Sequence, residues 1–278
     1  MGRPMRPLEA PRLRVVSFGG GVQSTTLLLM AAHGLIDPMP DMAIFVDLGS
    51  ETAATYDHIR WMASGNVLPF PIHTIDGGDL AADLQDGAGS DFGLPWFLDL
   101  GRGRQGLGRR ECTARYKVQR LTTEYKRLLG YGPHKNIPPN SIEVWLGIST
   151  DEVYRVKPAR GNWETRRWPL IELRMSRRDC AAWLREHDYP VPVRSSCAFC
   201  PFHSDQEWLR IKTSDPQAWR LAVEIDASLR RPGGRSDRRR LRGVPYLHRS
   251  MQPLDQIEFG SDAQPDLFLN ECEGLCGA

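Results

Sequence analysis

The chain has 278 residues, 41% of them hydrophobic and 25% charged, and a formal net charge of only +2. That balance belongs to a folded domain with a proper core, and it excludes a strongly basic nucleic-acid binder and an acidic disordered chain. No apolar run approaches the roughly 20 residues of a membrane span, and the N-terminus lacks a signal-peptide core. A cytoplasmic protein without membrane contact is the expectation.

The six cysteines are Cys112, Cys180, Cys197, Cys200, Cys272 and Cys276. In a long chain without an export signal, reduced cysteines serving a metal or catalysis are favoured over disulfides.

Residues 1–12 are rich in proline and arginine and read as a flexible lead-in. Leu13–Phe18 reads as a buried strand, followed by the turn Gly19-Gly20-Gly21 and a helix opening at Ser24. Adjacent glycines let the chain turn sharply and leave bare N–H groups open to an anion. Ser24 and Thr25 then add hydroxyls where a helix offers orphan amides and its positive dipole end. Gly34 follows as a helix stop. Ala43–Val46 is a second buried strand, ending in Asp47-Leu48-Gly49-Ser50-Glu51-Thr52 before a helix over about 53–63. Pro71–Ile75 makes a third strand. Strands and helices alternating at this spacing predict an α/β fold with a doubly wound, Rossmann-like parallel sheet, with ligands at the carboxyl ends of its strands.

Residues 76–111 are glycine-rich and weakly periodic, and read as a long loop acting as a substrate lid. Cys112 opens a helix to about Leu129, and Ile142–Gly147 is a further strand, followed by Asp151, Glu152 and Arg155. Capping boxes at Ser176–Asp179 and Ser204–Glu207 start two helices, and Asp215-Pro216 a third. Cys180 lies among apolar helix residues and reads as a core thiol, and Trp208 and Trp219 fall at helical core spacing. The arginines between Arg230 and Arg242 read as a solvated loop or as contacts to a nucleic-acid backbone. The expected division is 1–12, an α/β nucleotide-binding unit over 13–175, and a helical, cysteine-bearing region over 176–278.

Cys197-Ala198-Phe199-Cys200-Pro201 places two thiolates where they can share a metal or cluster. The first choice for a third ligand is Cys112, whose position at a helix start favours a thiolate. Cys272, Cys276 and His203 are candidates for the fourth position, which an incoming sulfur atom or substrate can also fill. Thiolates suit an iron–sulfur cluster, with 4Fe–4S preferred, or zinc as the alternative.

The glycine loop is neither a Walker loop nor a dinucleotide fingerprint. Ser17, Gly19, Gly20, Gly21, Gln23 and Ser24 resemble the PP-loop of the N-type ATP pyrophosphatases. Together with Asp47–Thr52, Gly147–Arg155, Trp168–Leu170 and Cys197–His203, this resembles the phosphoadenosine-phosphosulfate-reductase-like branch of that superfamily, with its adenine nucleotide alpha hydrolase-like fold. The resemblance covers roughly residues 13–210. It implies ATP, or phosphoadenosine phosphosulfate, held by Ser17, Gly19, Gly20, Gly21, Gln23, Ser24 and Thr25. Asp47, Gly49 and Glu51 would lie near the nucleotide, with a carboxylate on Mg²⁺ or on a ribose hydroxyl, and Asp151 and Arg155 beside the phosphates. The plainer alternatives are helix-capping charges for Asp47 and Glu51 and a surface ion pair for Arg155. The implied activity is adenylation of an acceptor (tRNA, DNA or a small molecule) with release of pyrophosphate, and then sulfur transfer. A sulfur-donor protein and a homodimer are the implied partners. The alternative reaction is sulfonucleotide reduction, with Asp47 near the reacting group and Cys272 or Cys276 as nucleophile, although no histidine follows either cysteine. A third reading is a non-catalytic nucleotide-binding subunit with structural zinc.

Overall fold

The computed structural model describes residues 10–86, 94–132, 134–231 and 243–260. Five strands make one parallel sheet: β1 (Leu13–Phe18), β2 (Met42–Asp47), β3 (Ile72–Asp76), β6 (Ile142–Leu146) and β7 (Glu164–Arg167). A helix α1 (Val22–Ala32) follows β1, and α2 (Ala53–Met62) follows β2. The order across the sheet is β3-β2-β1-β6-β7. The chain therefore winds outward from β1 to β3, then crosses back to β6 on the other side of β1. This is a doubly wound α/β fold of the Rossmann-like kind, and the reversal between β1 and β6 opens a crevice at the carboxyl ends of those strands.

Alternation along the three central strands builds two cores. Val15, Ile44, Val46, Val144 and Leu146 face one side of the sheet, and Val16, Phe18, Ala43, Phe45 and Trp145 face the other. Strands buried on both faces need runs of large apolar residues, which these segments supply. The second side is covered by α1, α2, α5 (Pro169–Glu172) and α6 (Arg177–Glu186). Leu27, Leu28 and Leu29 of α1 are completely buried, each contributing about 1.5–3 kcal/mol. Cys180 is buried in α6 against this helix, as its apolar surroundings predict.

The first side is covered by α3 (Leu80–Asp86), α4 (Gln119–Leu128), α7 (Asp205–Ser214) and α8 (Pro216–Leu229). Ser176 and Ser204 form the two expected capping boxes, and Asp215 caps α8. A π-helical turn, Thr113–Val118, leads from Cys112 directly into α4.

The segment expected to be a long lid is mostly ordered structure. It contains α3 and an antiparallel hairpin of β4 (Phe97–Asp99) and β5 (Gln105–Leu107), and β4 also pairs with β8 (Val244–Tyr246). Leu94 and Trp96 anchor this small sheet in the core. Three-residue strands carry too little alternation to register in sequence, which is why the hairpin read as loop. Strand β7 was missed because Glu164-Thr165-Arg166-Arg167 is polar, which only an edge strand tolerates. The first helix begins at Val22, two residues before its expected start. Residues 232–242, with most of the basic run, and the tail with Cys272 and Cys276 lie outside the described residues. Among the described residues no helix is long and apolar enough to cross a membrane.

Gly77 shows how tightly β2 and β3 close at their carboxyl ends. Its N–H bonds the Asp47 carbonyl at 2.7 Å, and a Cβ there would stand 2.9 Å from that oxygen and overlap the Leu48 side chain. Gly77→Ala is expected to lower stability by about 1–3 kcal/mol, read as a fall in the urea midpoint at unchanged m-value.

Candidate functional site

The glycine loop sits at the β1 side of the crevice. Gly20 adopts φ +78°, a conformation glycine reaches without strain. Gly21 precedes α1 in extended backbone and offers no side-chain cap. The amides of Val22, Gln23 and Ser24 thus fall in a first helical turn with no intrahelical acceptors. The Ser24 hydroxyl turns back into the loop, 3.3 Å from the Gly19 amide and 3.4 Å from the Gly21 carbonyl. The Ser17 side chain is buried beneath it. From the other side, Ser195 donates its hydroxyl hydrogen to the Gly19 carbonyl. The loop is therefore held by side chains on both flanks, with its amides in register for an anion.

The side chains of Gln23 and Thr25 are engaged within the protein. Gln23 is fully buried and donates to Ser149 Oγ at 3.3 Å and Glu152 Oε2 at 3.1 Å, while its carbonyl accepts from Arg177 at 3.3 Å. It ties α1 to the turn after β6, across the crevice. The Thr25 hydroxyl lies 2.8 Å from His58 Nε2 on α2. Arg155 is buried and pairs with Glu152 at 2.5 Å, so it neutralises a buried carboxylate rather than forming a surface ion pair. Asp151 accepts from the Arg177 amide at 3.1 Å at the start of α6.

At the end of β2, Asp47 Oδ1 accepts the Gly49 amide at 2.8 Å and the Tyr56 hydroxyl at 2.7 Å. Burial, with the Asp47 carboxylate beside it, pushes the Tyr56 phenol well above its ordinary range, so it remains a donor. Glu51 is buried 3.5 Å from Lys117 Nζ, and its second oxygen has no hydrogen-bond partner. A buried lysine here carries no local motif and was not foreseen from sequence; it comes from the π-helical turn just after Cys112. The orphaned Glu51 oxygen and the Asp47 carboxylate fit the one or two carboxylates that Mg²⁺ takes alongside phosphate oxygens.

The cysteine segment is joined to this same loop through its backbone. The Ala198 amide bonds the Ser50 carbonyl at 2.7 Å, and Cys197 bridges Glu51 in antiparallel fashion. Cys112, Cys197 and Cys200 line one small cavity together with Arg110 and the buried Ser196, whose hydroxyl has no hydrogen-bond partner. The structure thus brings together the three cysteines that lie far apart in sequence. Among the described residues, however, no three ligating side chains are arranged to hold a metal ion. The donor chemistry suits a soft metal, but these residues alone do not close a coordination shell. His203 is turned to structural use: Nε2 lies 3.0 Å from the Cys197 carbonyl and Nδ1 lies 3.7 Å from Glu207. Burial raises the Glu207 carboxyl, but His203 and Arg194 outweigh it and hold it at about 2.

A second cavity, of about 280 Å³, opens between α2 and α8, bordered by Glu51, Tyr56, Arg60, Ala198 and Asp215. Carboxylates, first-turn amides of α1 and thiols therefore meet along one edge of the sheet. A scan against protein-family models finds no match for this chain, and a search among curated proteins finds none.

His58 links the loop to solvent pH. Burial lowers its ring from 6.5 to about 4. The unfolded chain therefore binds the proton more readily between those values, so stability is full above pH 6.5 and is lost as pH falls towards 4. The loss is expected to approach about 3 kcal/mol, and His58→Gln should remove that slope in urea titrations at pH 7, 5.5 and 4.5.

Proposed function

We propose that this chain is a PP-loop ATP pyrophosphatase, with an adenine nucleotide alpha hydrolase-like fold, that adenylates an acceptor and then transfers sulfur to it. The observation that carries the reading is the direct backbone junction between the Asp47–Glu51 turn and the Cys197–Cys200 segment, beside the Gly19–Gly21 loop. An anion site alone would suit any nucleotide binder. An anion site built against three clustered cysteines suits an enzyme that activates an oxygen and replaces it with sulfur.

In the first step an acceptor oxygen attacks the α-phosphorus of ATP, and the bond to pyrophosphate breaks. The loop amides carry the charge developing on the leaving group. Asp47 and Glu51 would hold Mg²⁺, which would supply positive charge against the phosphates. The acceptor enters through the cavity between α2 and α8. In the second step the terminal sulfur of a persulfide on one pocket cysteine forms the carbon–sulfur bond as AMP leaves. A second cysteine then takes over the sulfur–sulfur bond, and the resulting disulfide needs a dithiol reductant to reopen it. An iron–sulfur cluster or zinc at Cys112, Cys197 and Cys200 is the alternative use of the same thiols, and it would need a further ligand to close its shell.

The two halves of the reaction separate by mutation. Exchange of labelled pyrophosphate into ATP should require the acceptor and fall about 5- to 30-fold in Gly20→Ala, because alanine is strained at that φ by about 1–2 kcal/mol. Cys197→Ala should retain exchange but lose transfer of labelled sulfur from a persulfide donor to nucleic acid or a small acceptor. Exchange that is undiminished in Gly20→Ala, or sulfur transfer that survives in Cys197→Ala, would contradict the assignment.

A further inference from the structure

One sizeable cavity belongs to neither the glycine loop nor the cysteines. It is a groove of about 510 Å³ between α4 and the edge strand β7, lined by Gln119, Lys126, Arg160, Trp163, Glu164 and Arg166 among others. Helix α4 packs on the face of the sheet opposite α1. Trp163 and Glu164 stand at the amino-terminal end of β7, since Glu164 pairs with Ile142 at the start of β6. The groove is thus remote from the carboxyl-end crevice. Its volume is that of a small-ligand site, roughly 300–1,000 Å³.

The groove's chemistry is specific. Arg166 is buried and spends its charge on Glu164 at 2.7 Å, with a second contact to the Lys157 carbonyl at 3.1 Å. Lys126 and the exposed Arg160 remain as two positive charges not balanced by Glu164. Lys126 Nζ lies 5.9 Å from the centre of the half-buried Trp163 ring. Gly161 makes room for that ring: a Cβ there would stand 2.5 Å from Trp163 Nε1. Behind the groove, Tyr125 is completely buried and its hydroxyl has no hydrogen-bond partner. It lies within electrostatic reach of Glu164 and Arg166, and burial keeps its phenol protonated far above the usual range. The groove thus sets an aromatic face beside two cations. Phosphate and a flat ring are what it complements.

We infer that the α4–β7 groove is a second binding site that takes a phosphorylated planar ring, a nucleoside monophosphate unit, with the phosphate at Lys126 and Arg160 and the base against Trp163. The unit is either a free mononucleotide or one residue of a nucleic-acid strand. The site does not depend on the activity assigned to the glycine loop.

Calorimetric titrations with AMP, CMP and ribose 5-phosphate, and with a 5′-phosphorylated hexanucleotide, test it. Each is run on the unmutated protein and on Gly20→Ala, Arg160→Glu, Lys126→Glu and Gly161→Ala. A site that survives in Gly20→Ala, weakens at least tenfold in both charge reversals and weakens in Gly161→Ala is the groove. Arg160 is exposed, so its reversal leaves the fold intact even if the Gly161 variant unfolds. Saturable binding of AMP or CMP would identify the free mononucleotide as the source; binding of the hexanucleotide alone would identify a strand. Ribose 5-phosphate should bind at least tenfold more weakly. The inference is overturned if no mononucleotide or strand binds outside the loop, if the charge reversals leave binding unchanged, or if the base-free sugar phosphate binds equally well.

Discussion

The buried amide of Gln23 is the point on which the crevice depends. It is one side chain with no solvent exposure, bonded to Ser149, Glu152 and Arg177. These partners come from the turn after β6 and from α6, whereas Gln23 belongs to the first turn of α1. A doubly wound sheet necessarily separates β1 from β6 in sequence, and its crevice stays open only if something spans it. Three hydrogen bonds from one amide do so, and leaving any of these buried groups unpaired would cost about 1–3 kcal/mol. The glycine loop inherits its position from that latch and from Ser195 on its other side.

Around the same edge, charge is held in pairs: Lys117 with Glu51 and Arg155 with Glu152 are buried, and Arg194 with Glu207 is partly buried. Such pairs add little net stability, because desolvation offsets their attraction. They do fix geometry. Glu51 carries the backbone bridge to Cys197, Glu152 holds Gln23, and Glu207 caps α7 while gripping the segment that carries Cys197 and Cys200. The depressed Glu207 carboxyl shows that the last pair stays ionised far into acid. The cysteine pocket and the carboxylate turn are thereby parts of one rigid wall.

The central strands and the glycine turn before α1 were legible because their chemistry is local. Val15-Val16, Ala43–Val46 and Val144–Leu146 are apolar runs bounded by turns, and three consecutive glycines mark a sharp turn between strand and helix. Capping boxes at Ser176 and Ser204 are likewise written in four residues. Donor chemistry led to Cys112, Cys197 and Cys200 as ligands of one metal; the structure places all three on one cavity, without three ligating side chains arranged for a metal among the described residues. What sequence did not disclose is long-range pairing. Nothing near Lys117 announces Glu51, nothing near His58 announces Thr25, and the polar strand β7 lacks any pattern. The hairpin of β4 and β5 was hidden because its stability comes from β8, more than a hundred residues later. Gln23 and Thr25 matched a phosphate-binding pattern while their side chains hold the loop from behind.

The most direct test of the account is a map of backbone amide shifts on adding a non-hydrolysable ATP analogue with Mg²⁺. The account predicts that the amides of Gly19–Ser24 and the Asp47–Glu51 turn move together and saturate with one dissociation constant, with protection from exchange in the same residues. If the analogue binds while the Gly19–Ser24 amides stay unmoved, the loop is a strand–helix connector and the central claim fails.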